Sequence, residues 1–447
     1  MMFRPVLIVA VLSMGPTAAA QEAGPAVPVR GAVERLTLDA AIARGVENSQ
    51  RLAELEARQE GAEAAEDGRR AAARPLVALT AGYSRTNHVD EFGITVPGLP
   101  PRIIYPDIPD NLRTRLDLQW PVYTGGRTDA LERAARAERE ATGEDLAAAR
   151  SDLRLEITRA FWALVTARET EVVVARSLHS MDTHVTDLRS RLEQGFIPPN
   201  DVLSAEAQES RARLLAIESS NARAVADADL HRLLGIDGES AIEPLAALDS
   251  APVPGGSAAT LIELARKDRP ERRALSDRVQ AFQAREVAAA SAFKPQIGVA
   301  GGYDYARPNP RIFPRIGEWR DSWDVSVNVS WTVWDGGRRR AEYAEALANT
   351  RGAQSRVVDF DRQVAFEVRQ RRLEVDSSRA AIAAAEDGLR SATEALRVVG
   401  ERFNAGVAIS TDVLDAEIAM LQAGLDQTRA LANARLADAR LLRAVGR

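Results

Sequence analysis

Residues able to do bond-making chemistry are few in this chain, and their spacing does not suit it. The four histidines are His88, His179, His184 and His231. His179 and His184 are five residues apart, which takes them off a shared helix face and away from metal-ligand spacing. Cysteine is absent. That excludes disulfides, thiolate chemistry, Cys-based zinc sites and a lipid-modified N-terminal cysteine. There is no GxGxxG, no P-loop and no GxSxG. No catalytic, cofactor-binding or metal-ligating residue can be named, and no enzyme activity is expected. Runs of Asp, Glu and Arg on the helices read as solvated faces. The net charge of −6 is spread along the chain, so nothing points to a nucleic-acid partner. Two acids stand out by position. Asp412 and Asp415 open the last helix, where the local reading is an N-cap and an N3-type dipole partner. Asp201 opens an earlier helix in the same way.

The elements around these residues are of two kinds. Residues 1–20 read as a secretory signal peptide: a short basic start, the apolar run Pro5 to Met14, and small residues Thr17 to Ala20 before Gln21. Residues 21–35 form an extended lead. After Gln21 no run approaches the roughly 18 apolar residues of a membrane helix, so any membrane insertion must use β-structure. A first helix is expected from Thr37, as N-cap, to Ala72, stopped by Pro75. Strands are expected over 76–85 and 115–123, separated by a Pro- and Gly-rich loop, 86–112, with no strand signal. Long helices follow at 129–194 and 200–234. The first carries Ile157, Leu164, Leu178, Val185 and Leu192 at one heptad position. Residues 235–256 read as a linker.

The chain then repeats itself. Lys294-Pro295…Gly302-Tyr303 matches Arg74-Pro75…Gly82-Tyr83, and Trp331…Gly336-Gly337-Arg338 matches Trp120…Gly125-Gly126-Arg127. Asp412-Val413-Leu414-Asp415-Ala416-Glu417 matches Asp201-Val202-Leu203-Ser204-Ala205-Glu206. The first repeat spans 36–234 and the second 257–447. The second has a helix broken near Pro270, strands 296–305 and 322–334, a long helix 338–404 and a last helix 411–445. Its heptad column runs unbroken through Val368, Val375, Ile382, Leu389, Leu396 and Phe403. The fourth strand alternates cleanly, with Trp323, Val325, Val327, Val329, Trp331 and Val333 apolar and the residues between them polar.

Four alternating strands of about ten residues suit a tilted β-span of a bilayer. Four strands cannot close around a lumen, and lipid does not tolerate open sheet edges. Several chains must therefore pool their strands. Trp120, Tyr123, Trp323, Trp331 and Trp334 fall where aromatic girdles would, and Arg115, Asp117, Gln119, Asp324 and Asn328 suit a wet lumen. The long helices must continue away from the barrel on one side, burying their heptad seams against neighbours as a hollow tube.

The duplicated plan, the Gly-Gly-Arg strand exits and the Asp-Val-Leu helix starts resemble the TolC-like outer-membrane efflux proteins from about Leu36 to the C-terminus. The resemblance implies a mostly α chain with a transmembrane β portion. It implies a homotrimer with a trimeric α-barrel and a shared 12-stranded β-barrel, four strands per protomer. It implies an exit channel of a tripartite efflux or type I secretion system in a Gram-negative outer membrane. Such a channel is a passive conduit with an iris-like periplasmic gate, partnered by a periplasmic adaptor and an inner-membrane pump of RND or ABC type. By the same resemblance Asp412 and Asp415 face the pore at its narrow end, each becoming a ring of three carboxylates that favours cations. The turn residues Gly195, Phe196, Asp201, Phe403, Gly406 and Val407 become the adaptor-contacting tips. Where family members can hold the tip closed with Tyr and Arg, this chain has Phe403 and Ala408, so apolar packing is expected there. The rival reading is a non-conducting periplasmic coiled-coil scaffold or adaptor, which leaves the two strand pairs unexplained.

Overall fold

In the computed structural model, residues 34–236, 241–249 and 256–447 are described. The expected signal peptide, all but the last two residues of the extended lead, and part of the linker lie outside them. The described chain opens with β1 (Glu34–Leu36), α1 (Leu38–Glu47) and α2 (Gln50–Ala71). The single helix expected here is two. Ser49 starts a second N-terminus, its Oγ accepting from Leu52 N at 3.3 Å, as Thr37 Oγ1 does from Ala40 N. Asn48 at the break donates to Leu234 O at 2.9 Å.

Next come β2 (Leu76–Arg85), β3 (Phe92–Ile94), β4 (Arg102–Tyr105) and β5 (Asp110–Tyr123). The loop expected over 86–112 therefore holds a small antiparallel hairpin, β3 with β4. Its strands are too short to show a period, and the prolines around them masked the signal. Then α3 (Arg127–Glu193), α4 (Pro199–Leu234) and β6 (Ile242–Pro244) follow. β6 lies in the expected linker and pairs in parallel with β1, across more than two hundred residues. The second half is α5 (Ala258–Asp268), α6 (Pro270–Ala290), β7 (Gln296–Arg307), β8 (Arg320–Ser330), α7 (Arg338–Asn404) and α8 (Ser410–Val445). β8 stops at Ser330, short of the expected 334. Its partner β7 begins at Gln296, directly after Pro295, so no ladder remains for Trp331, Val333 and Trp334.

The four long strands form one antiparallel sheet in the order β2-β5-β7-β8. Its register sorts the side chains into two faces. Leu79, Leu116, Tyr303 and Trp323 share the apolar face with Leu118, Val325 and Val327. Thr80, Arg115, Asp304 and Ser322 share the polar one. A register shift between Pro121 and Tyr123 returns Tyr123 to the apolar side, opposite Ile297. Each strand pair leaves through two glycines with positive φ at both positions, Gly125 and Gly126, then Gly336 and Gly337. That geometry is open to few other residues, and it turns the sheet directly into α3 and α7.

α3 and α7 are each 67 residues, about 100 Å of helix. Between the sheet and the middle of the tube the helices lie in the order α2-α3-α6-α7, and beyond it in the order α4-α3-α8-α7. The main core sits at mid-height, where Leu52, Ile157, Phe161, Leu164, Leu230 and Leu234 close around the β1–β6 ladder.

Candidate gate and docking site at the helix turns

The far end of the helices is built from two turns. Gly195 and Gly406 end α3 and α7 with the same bonds: Gly195 N to Leu192 O and Phe196 N to Arg191 O, both 2.9 Å, against Gly406 N to Phe403 O at 3.0 Å and Val407 N to Arg402 O at 2.8 Å. Beneath the turns lies a small core of Val185, Leu188, Val202, Ala205, Phe403, Val413 and Leu414. Heptad positions of both halves meet in it, so the last turns of both long helices pack on one core.

Phe403 is the centre of that core. The His184 ring packs edge-on against it at 5.5 Å, and the Arg191 guanidinium lies 4.4 Å from its centroid. Arg191 also donates to Asn404 Oδ1 at 3.2 Å and pairs with Asp187 at 2.8 Å. His184 Nε2 lies 3.2 Å from Ser410 Oγ at the start of α8. Burial holds the imidazole below the usual histidine range, with Asp187 raising it and Arg191 lowering it. Farther along α8, Glu417 is buried, and its Oε1 accepts from Ser180 Oγ at 2.6 Å. Its other oxygen has no partner among the described residues, and burial raises this carboxyl. Sequence reasoning weighs His184 only as a metal ligand and meets Glu417 only as part of the repeat, and it passes over Arg191. The one available signal is that His184 adjoins the heptad residue Val185.

The acids at the helix starts do different work from the local reading of the sequence. Asp412 is not an N-cap: Ile409 is, and Asp412 stands at N3, its carboxylate accepting from Ile409 N at 3.2 Å. Asp201 also stands at N3, but the residue before its helix is Pro198, which has no N–H to offer. Asp415 lies one turn beyond Asp412, exposed, and meets no side-chain partner among the described residues. Asp412 is thus tied to its own helix end while Asp415 is free. Phe196 and Val407, at the two turn apices, are 74% and 67% exposed in the single chain.

At the other end, Trp120 and Trp331 make the same bond in the two repeats. Trp120 Nε1 donates to Ala73 O at 3.3 Å, and Trp331 Nε1 to Phe293 O at 3.2 Å. With Tyr123 and Trp334 they gather at the helix end of the sheet. Trp323, Tyr303 and the stacked pair Tyr305–Trp319 lie toward the opposite end. About eight residues, roughly 26 Å of extended chain, separate Trp323 from Trp331. Among the described residues no cluster of His, Asp or Glu could hold a metal ion, and no helix is long and apolar enough to cross a membrane.

This arrangement has counterparts among known proteins. The family model described as "Outer membrane efflux protein" matches residues 42–236 and 261–447. The chain is 24% identical over 415 residues to the outer membrane protein TolC of Vibrio cholerae, covering 90% of this chain and 88% of that one. Its fold matches the outer membrane protein VceC of Vibrio cholerae with a TM-score of 0.75 at 19% identity, over 92% of this chain and 96% of that chain. It matches the open state of the MtrE outer membrane channel of Neisseria gonorrhoeae with a TM-score of 0.76 at 19% identity, over 92% and 88%.

Proposed function

Because this chain belongs to the outer membrane efflux protein family, and is an exit channel of tripartite efflux in the Gram-negative outer membrane, we propose that it works as a ring of three copies. The observation that carries the ring is a coincidence of open edges. In the sheet, β2 and β8 are the edges. Among the helices, α2 and α4 end the row on the β2 side and α7 ends it on the β8 side. The α4 edge exposes Leu214, Ile217 and Val225, and the α7 edge exposes Phe366 and Leu373. One head-to-tail rotation therefore satisfies strand edges and helix edges together, and such a contact closes as a ring. Three copies make twelve strands around a lumen, with the apolar face toward lipid. A periplasmic scaffold has no use for that apolar sheet face.

The tip is the gate of this ring. Asp415, exposed and unpartnered, and Asp412, held on Ile409 N, repeat around the axis as two rings of carboxylates that favour cations. Phe403, clamped by His184 and Arg191, holds the α7–α8 turn against the α3 end, beside the polar links Arg191–Asn404 and His184–Ser410. Phe196 and Val407, with Gly195, Asp201 and Gly406 around them, present the apices to a periplasmic adaptor, which links the channel to an inner-membrane pump of RND or ABC type. Trp120, Tyr123, Trp323, Trp331 and Trp334 anchor the barrel at the two lipid interfaces. Transport through such a conduit is passive and needs no bond-making residue.

Mass measurement in detergent tests the ring, with three chains per particle expected. Planar-bilayer recording tests the gate. Asp412→Ala with Asp415→Ala is expected to reduce cation preference and divalent block, most of the effect coming from Asp415. A monomer without conductance overturns the ring. Unchanged selectivity together with unchanged block overturns the gate.

A further inference from the structure

The polar face of the sheet carries an ion cluster that no single repeat contains. Arg115 on β5 reaches three carboxylates. Its Nε donates to Asp117 Oδ1 at 2.7 Å, its Nη1 to Asp324 Oδ1 at 3.2 Å on β8, and the same Nη1 to Asp304 Oδ2 on β7. Arg113 adds two bonds to Asp304, at 2.5 and 3.0 Å, and Asp304 is only 2% exposed beneath the two guanidiniums. To touch β8, Arg115 must cross β7. It does so over Gly302, where a Cβ would overlap the guanidinium. The small residue at 302 is what seats the charge.

Counted along the polar faces of all four strands, the ionised side chains are Arg113, Arg115 and Arg320 against Asp117, Asp304 and Asp324. The sum is zero. The polar sheet face is therefore charge-compensated, with Arg311 of the β7–β8 loop also 3.7 Å from Asp324, while at the tip Asp412 and Asp415, like Asp201, have no basic side-chain partner among the described residues. We infer that Arg115, seated over Gly302, determines the ion preference of the outer vestibule by compensating Asp117, Asp304 and Asp324. It leaves charge discrimination to the far end of the tube. The inference rests on the reading that this sheet face lines a conducting lumen.

The test is reversal potential in planar bilayers under a KCl gradient, using the full chain with Asp412→Ala and Asp415→Ala so that the tip does not mask the vestibule. Two variants of opposite sign are compared, Arg115→Gln and Asp324→Asn. The first is expected to raise the K⁺/Cl⁻ permeability ratio and the second to lower it. Each shift should be about twofold near 0.1 M salt and vanish near 1 M, where the screening length falls from about 10 to 3 Å. A cluster that only holds strands together would move both variants the same way or neither. Conducting channels with unchanged ratios, or shifts of one sign, overturn the assignment. So does failure of both variants to assemble, which makes the cluster framework. A parent channel that does not conduct at all counts against the lumen reading instead, and an unshifted tip variant counts only against the gate.

Discussion

The two long helices have equal length and matching heptad columns, yet they occupy opposite environments. In α3, 21 residues are buried; in α7, 7 are. α3 is packed by α1, α2, α4, α6 and α8, whereas α7 is packed by α5, α6 and α8 alone among the described elements. Its other side shows Phe366 and Leu373 to solvent in the single chain. Duplication gave both helices an apolar seam. Position in the row made one the spine of the protomer and left the other as an edge. The tips diverge in the same spirit. The first turn has a proline before its helix and an acid with no amide to cap. The second has a capped acid, a free acid one turn later, and Phe403 driven into the shared core.

The largest expected effect separates spine from edge. Phe366→Glu with Leu373→Glu places unpaired charges where the next copy would seat, at about 3–5 kcal/mol each if buried. Circular dichroism should stay helical while mass in detergent falls to one chain. Phe161→Ala in α3 should do the reverse, costing about 3–5 kcal/mol of fold stability and lowering the melting temperature of the protomer itself. If both variants fail in the same way, spine and edge are not distinct.

A smaller effect is expected at the tip. Phe403→Ala removes the ring between His184 and Arg191, at a local cost of about 3 kcal/mol. Single-channel conductance should rise with the assembly intact, and unaltered conductance would show that apolar packing does not hold the turn. The smallest effect is one of pH. Burial depresses His184 in the fold, so its neutral form contributes stability above the unfolded pKa of about 6.5. That contribution is lost as pH falls through the folded value. Glu417 runs the opposite way, because burial raises it and protonation relieves a buried charge. Melting temperature followed from pH 7.5 to 5 should therefore fall less in His184→Gln than in the parent. An equal fall in both would remove His184 from the joint.

Much of this architecture is legible in the amino-acid sequence. Period-two alternation in Trp323 to Val333 and period-seven columns from Val368 to Phe403 are local signals, because a side chain's face is set by its own backbone. The repeat makes the two strand pairs and the two tips recognisable as equivalents. Short features are lost for the same reason. The three- and four-residue strands β1, β3, β4 and β6 are too brief to show a period, and Ser49 as a cap inside an apparently continuous helix is a single-residue event. Asp412 reads as a cap from its residue type alone, since only the observed helix start puts it at N3.

What the sequence by itself determined is the inventory: four two-faced strands, two long seamed helices and glycine exits. What only the tertiary structure decided is which distant residues share a surface. Arg115 meets Asp304 because β5 pairs with β7 in one register, and a shift of one residue would send that carboxylate to the lipid side. His184 meets Phe403 because α3 runs beside the α7–α8 turn. The open edges of α4 and α7 exist only once the row of helices has an order. Periodicity is a property of neighbours in the chain, whereas register and row order are properties of neighbours in space.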